Sequence, residues 1–224
     1  MNNYSCIPVI AIDGPSASGK GTVAQLVANR LGYHYLDSGA LYRIVAFAAQ
    51  NAGISWQDEL ALAELARGLD IRFQQGEIFL GEHNISSAVR TEEMGRGASE
   101  VAVHPALRNA LLDLQHSFRR APGLVADGRD MATVVFPDAQ TKIFLTASAE
   151  IRAERRYKQL MEKGIHANLR DILHDLQLRD ARDRQRAVAP LQQSPDAKLL
   201  ETSNLSIDQA VQAALEMATG KING

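Results

Sequence analysis

The chain has 224 residues, 46% of them apolar, and a formal net charge of −2. A chain of this length buries about 70% of its unfolded surface and needs no covalent staple, while near-neutral charge argues against general affinity for nucleic acid or anionic membranes. Cys6 is the one cysteine, which excludes an intrachain disulfide, and no stretch approaches the roughly 18 apolar residues of a membrane span, so the expectation is a cytoplasmic protein without nucleic-acid or membrane partners.

The first element is an apolar, β-branched run at 9–12, read as a strand. "GPSASGKGT" follows at once, from Gly14 to Thr22. A glycine-rich turn between a strand and a helix is the context of a phosphate loop: glycines let successive N–H groups converge on phosphate oxygens, and the helix N-terminus adds partial positive charge. Gly14, Pro15, Ser16, Ala17, Ser18, Gly19, Lys20, Gly21 and Thr22 are therefore the candidate nucleotide-binding residues, with Lys20 reaching the β- and γ-phosphates. The common pattern places Ser or Thr directly after the lysine; here Gly21 intervenes and Thr22 comes one place late. Val23, Leu26, Val27 and Leu31 recur at helical spacing, and Gly32 is the expected stop.

A second strand at 33–36 leads into "LDSGALYR". Ser38 reads by itself as a helix N-cap, and Arg43, five residues on, as a solvated arginine. The stretch "DIRFQQGEIFLGEHNISSAV" breaks the alternation: it reads as short antiparallel strands turned at Gln75-Gly76 and Gly81-Glu82, continued by a helix from about Thr91. Pro105 opens another helix, striped by Leu107, Leu111, Leu114 and Phe118. Strands at 124–126, 143–145 and 199–201 complete an α/β pattern with a doubly wound parallel sheet of five strands.

Asp127 ends the strand in "LVADGRD", at the sheet edge where doubly wound folds bind ligands, and is placed to order waters around Mg²⁺. Arg129 and Asp130 protrude from the next turn, where an aspartate commonly caps backbone. Arg152, Arg155 and Arg156 crowd two turns of "EIRAERRYKQLMEKG", up to a break at Gly164; such a run reads as a solvated face or as a lid over phosphates. In the last long helix, Leu169, Ile172, Leu173 and Leu176 form a stripe expected to face inward. The same face then carries Arg179, Asp180, Asp183 and Arg186 or Ala187. Arginines cannot be buried unpaired, so this end is expected to meet solvent or an anion-filled cleft, or to pair with itself as Arg179–Asp183.

Four segments, "IDGPSASGKGT", "LDSGALYR", "ADGRDMATVVFPDA" and "RDARDRQRAVAPL", together resemble the bacterial cytidylate kinases, from about Val9 to Leu215. Gly-Lys-Gly-Thr is similar to the loop of the wider nucleoside monophosphate kinase group, in which the metal is held largely through water. The resemblance implies a single phosphate-loop kinase domain over 1–224, with an acceptor-binding insertion at 70–103 and a short lid at 152–168. It implies ATP as phosphoryl donor, Mg²⁺, CMP or dCMP as acceptor, an EC 2.7.4-type reaction and a monomer. By the same resemblance Ser38, Arg108 and Asp130 read the cytosine, Arg43, Arg129 and Arg186 bind phosphate, Arg179 and Asp183 hold the ribose, and Ser99 lies near the sugar. Lys20, Arg129 and Arg186 are the catalytic candidates, with Arg155 and Arg156 toward ATP. One departure is Ala132, where the family pattern has glycine. A kinase for another small acceptor is the alternative; a GTPase switch is disfavoured by the lack of an Asn-Lys-x-Asp run, and an ATPase subunit would carry more surface for assembly.

Overall fold

The computed structural model describes residues 7–74, 76–162 and 164–220; Cys6, Gln75 of the expected hairpin turn and the 221–224 tail, expected to fray, lie outside them. In chain order the strands are β1 (Val9–Asp13), β2 (His34–Asp37), β3 (Ile71–Gln74), β4 (Glu77–Leu80), β5 (His83–Asn84), β6 (Leu124–Gly128), β7 (Thr141–Thr146) and β8 (Lys198–Glu201). The helices are α1 (Lys20–Leu31), α2 (Ser38–Asn51), α3 (Glu59–Arg67), α4 (Ser86–Val89), α5 (Glu92–Val101), α6 (Pro105–His116), α7 (Ala149–Glu162), α8 (Leu169–Gln185) and α9 (Ile207–Thr219), with a π-helical turn at Met131–Val135. The chain forms two compact units, 1–37 with 118–224, and 38–117.

The first unit is a five-stranded sheet in the order β2-β6-β1-β7-β8, parallel throughout. All five expected strands are in it. Every residue of β1 and β6 is buried, which is why these strands read as continuous apolar runs rather than alternating ones. Ile10 and Ile12 of β1, with Val125, Ile143, Leu145 and Leu200, pack against Val23 and Val27 of α1 and Val211 of α9. Each such side chain contributes about 1.5–3 kcal/mol by leaving water. α1 stops where expected: Gly32 adopts φ 67°, and its N–H closes on Ala28 and Asn29.

Parallel pairing brings the strand ends to one edge, with Asp37 opposite Asp127 and Asp13 opposite Gly128. The glycine-rich loop and the 128–132 turn both leave the sheet there.

Helix α8 corrects one expectation. Leu176 is buried, but Leu169 is 41% exposed, whereas Asp180 and Asp183, and Arg186 just past the helix end, are buried. The charged end is the covered one because its carboxylates find cations on other elements.

In the unit 38–117, β3-β4-β5 form a small antiparallel sheet, and Gly76 and Gly81 take left-handed backbone at its turns (φ 81° and 56°). Thr91 caps α5 by accepting from the Met94 N–H. Pro105 is the first residue of α6, and Leu107 and Leu111 are buried, but the helix ends at His116, short of Phe118. The helices α3 and α4 had no counterpart in the sequence reading. Trp56 serves packing: its ring lies against Gly97, where a Cβ would come within 2.7 Å, and its N–H donates to the Ala46 carbonyl.

Candidate active site

The glycine-rich loop is shaped by close approach. A Cβ on Gly14 would fall 1.9 Å from the Leu145 carbonyl oxygen of β7, so only glycine passes. Ala17 (φ 58°) and Gly19 (φ 89°) take left-handed backbone, and α1 begins at Lys20. Among the described residues α1 has neither a side-chain cap nor an acid in its first turn. Its first N–H groups remain available to an anion.

Arginines hold the loop from outside. Arg152 donates to the Ser16 carbonyl at 3.0 Å, Arg155 to the Ser18 carbonyl at 3.1 Å, and Arg129 to the Ser16 hydroxyl at 2.8 Å. Lys20 is buried, donates to the Pro15 carbonyl at 3.4 Å and lies 3.8 Å from Asp127 Oδ1. Burial and the nearby Arg129 push the Lys20 ammonium below its usual value, against the pull of Asp127. Burial pushes Asp127 upward, while Lys20 opposes it.

The position of Gly21 follows from Asp127. A Cβ there would sit 3.0 Å from Asp127 Oδ2 and 3.6 Å from the Tyr35 hydroxyl, which itself donates to Asp127 at 3.3 Å. Serine or threonine directly after the lysine would crowd the carboxylate; glycine keeps the slot open, and Thr22 stands exposed one place on. Among the described residues, Asp127 Oδ1 is buried and accepts no hydrogen bond. Among the described residues no cluster of three or more acidic, histidine or cysteine side chains could cage a metal. A buried carboxylate beside an open slot fits a cation that keeps most of its water, as Mg²⁺ does.

The turn after β6 carries the densest charge. Arg129 donates to Asp183 at 2.8 Å. Burial alone would raise Asp183, but Arg129, Arg186 and Arg179 outweigh it and hold its carboxyl below the usual range. Burial likewise works against Arg129, and Asp183 more than offsets it. Arg186 donates to the Asp183 carbonyl at 3.4 Å. Asp130 is buried at the head of the π-helical turn. Ala132 is buried in that turn without left-handed backbone, so a side chain here meets no conformational penalty. Lys20, Asp127, Arg129, Asp183 and Arg186 thus gather where strand ends, loop and α8 meet.

The family profile described as Cytidylate kinase matches residues 10–220. The chain belongs to this family. Curated cytidylate kinases from Polynucleobacter asymbioticus (61% identical, covering 95% of this chain and 96% of the relative) and Cupriavidus pinatubonensis (58%, 94% and 95%) are similar along nearly their whole length. One from Chromobacterium violaceum is 60% identical, covering 94% of this chain and 95% of the relative.

In this member of the cytidylate kinase family, the unit 38–117 holds its own group of candidates. Ser38 is buried at the start of α2, one turn from Tyr42, whose ring lies 5.8 Å from the Arg108 guanidinium of α6. Arg108 is buried and donates to the Ala102 carbonyl at 3.2 Å. Arg43 donates to the Val89 and Thr91 carbonyls at 3.1 and 3.0 Å. A Cβ on Gly95 would come within 2.9 Å of Arg43, so this glycine leaves the guanidinium its place. Ser99, one turn after Gly95 on α5, is buried.

The three arginines of α7 divide. Arg152 is buried and pairs with Asp180 of α8 at 2.6 Å. Arg155 bridges the Ser18 carbonyl and Thr202. Arg156 donates to Gln159 on its own helix.

Sequence reasoning passed over Asp13, Tyr35 and Thr202, and left the pairing of Arg152 with Asp180 unread. Only Asp13 left a trace, as the one charged residue of "VIAID".

Proposed function

We propose that the chain transfers the γ-phosphate of ATP to CMP or dCMP, giving CDP or dCDP, as a monomeric cytoplasmic enzyme of the EC 2.7.4 type. Membership of the cytidylate kinase family over nearly the whole chain carries this reading.

Phosphoryl transfer asks for alignment and charge neutralisation more than covalent chemistry. The loop amides and Lys20 would hold the β- and γ-phosphates, with the Thr22 hydroxyl beside them and Arg155 and Arg156 on the donor side. Asp127 would hold Mg²⁺ through water. Bound there, the cation would neutralise charge on the donor phosphates. Arg43, Arg129 and Arg186 would clamp the acceptor phosphate, whose oxygen is already an anionic nucleophile and needs no general base. Arg179 and Asp183 would bind the ribose, with Ser99 near it. Asp130, with Ser38 and Arg108, would read the cytosine edge: a carboxylate accepts from the exocyclic amine that uracil lacks. The 70–103 insertion would serve acceptor binding and 152–168 would act as a lid, excluding water and suppressing ATP hydrolysis.

A coupled ADP-release assay with ATP and each nucleoside monophosphate tests the reading. CMP and dCMP should turn over fastest, and Asp130→Ala should reduce CMP turnover far more than UMP turnover. Strong turnover of another acceptor with none of CMP or dCMP would overturn it.

A further inference from the structure

Asp13 has no place in the chemistry above, yet its burial is nearly complete, with 2% of its surface exposed. Its two carboxylate oxygens are divided between two backbone donors: Met131 N–H reaches Oδ1 and Ala132 N–H reaches Oδ2, each at 2.8 Å. These are the first two amides of the π-helical turn, which among the described residues has no side-chain cap from its own N-terminal residue, Asp130. The cap arrives instead from a different strand.

Burial raises the Asp13 carboxyl to about 7, against the two amides that favour its charge. Asparagine has one carbonyl oxygen and would turn an N–H toward the second amide, leaving donor against donor.

We propose that Asp13 is a positioning residue for acceptor selection. By gripping the Met131 and Ala132 amides it fixes the 128–132 turn, and with it the Arg129 and Asp130 side chains, relative to the phosphate loop that starts at Gly14. This rests on the reading of Asp130 as the group that recognises cytosine. Asp13 is thereby a shared fixed point: the next residue begins the donor loop, and its carboxylate holds the turn assigned to the acceptor. An error in that turn of an ångström shifts the base-reading carboxylate, and misplacement of that size costs about 100-fold in rate.

The test compares wild type with Asp13→Asn, folding checked by circular dichroism and thermal melting, with kcat/KM measured for CMP and UMP and KM for ATP. A second protein carries an ester in place of the Ala132 amide, which deletes one donor and leaves the carboxylate intact, and it serves if Asp13→Asn fails to fold. The expected result is a CMP-to-UMP ratio reduced about tenfold or more, with the ATP KM changed less than about threefold. Equal losses on CMP and UMP, or an unchanged ratio, in a folded protein would overturn the proposal and leave Asp13 a purely structural residue. Wild-type enzyme that does not itself prefer CMP over UMP would overturn the cytidylate reading, and this inference with it.

Discussion

In the parallel-sheet unit the charged candidates answer one another: Lys20 faces Asp127, Arg129 holds Asp183, and Arg152 holds Asp180. In the unit 38–117, Arg43 donates to the Val89 and Thr91 carbonyls, and Arg108 donates to the Ala102 carbonyl and lies over the Tyr42 ring. A carbonyl partner fixes where a guanidinium points, and a buried ion pair also ties the fate of each partner to the other. Removing one member of such a pair strands a charge, at about 3–5 kcal/mol. Substitutions that break the pairs of the first unit should therefore disturb stability and catalysis together, whereas Gly95→Ala in the second, which displaces a side chain without removing a charge, should act mainly on acceptor binding.

The largest effect is expected for Lys20→Met, which removes the lysine assigned to the donor phosphates. A fall in kcat of about 10³-fold is expected, measured with saturating CMP; a fall below tenfold would break the idea that this buried cation carries transition-state charge. Next comes Arg129→Ala, expected to lower kcat/KM by about 10²-fold and stability by about 3 kcal/mol because Asp183 is left buried. Combining it with Asp183→Ala sharpens the comparison: urea unfolding of the double-mutant cycle should give a coupling above about 1 kcal/mol, and simple additivity would refute the linked network.

Gly95→Ala probes the other unit. Its new Cβ would press on Arg43, so the KM for CMP should rise about threefold to tenfold, while loss of a helical glycine contributes up to about 1 kcal/mol of stability. A protein that melts lower with an unchanged KM would contradict a role for Arg43 in acceptor binding. The smallest effect concerns pH. Burial lowers the Lys20 proton affinity, so kcat/KM should fall as pH rises through a value below the usual lysine range. Stability should move the other way. The unfolded chain keeps this proton longer than the folded one, so the Lys20 contribution favours the fold increasingly as pH rises through that window. The difference in melting between wild type and Lys20→Met, followed across pH, measures it.

The sheet was legible because its signals are local: an apolar run, a glycine, then a 3.6-residue period. The hairpin turns were legible for the same reason, since glycine at positive φ is a single-residue requirement. The partners in the site were not. Helix periodicity sees only its own face, so it gave α8 an apolar start turned inward and a charged end left open. The cations that cover Asp180 and Asp183, Arg152 and Arg129, come from other elements, and a period carries no trace of them. The π-helical turn at 131–135 was equally hidden, because the amides that begin it are capped by Asp13 from another strand.

The order of the sheet has a consequence for how the chain comes together. β2 ends at Asp37, and its partner β6 begins at Leu124, so this pairing must close a loop containing the whole of the 38–117 unit. For a flexible chain each doubling of such a loop costs about 0.6 kcal/mol in entropy, and non-local pairing is slow. A unit that condenses early is no longer flexible; it shortens the effective loop and speeds the search of β6 for its slot between β2 and β1. Substitutions that loosen α2 or α6 should then slow refolding of the parallel sheet, though they lie outside it.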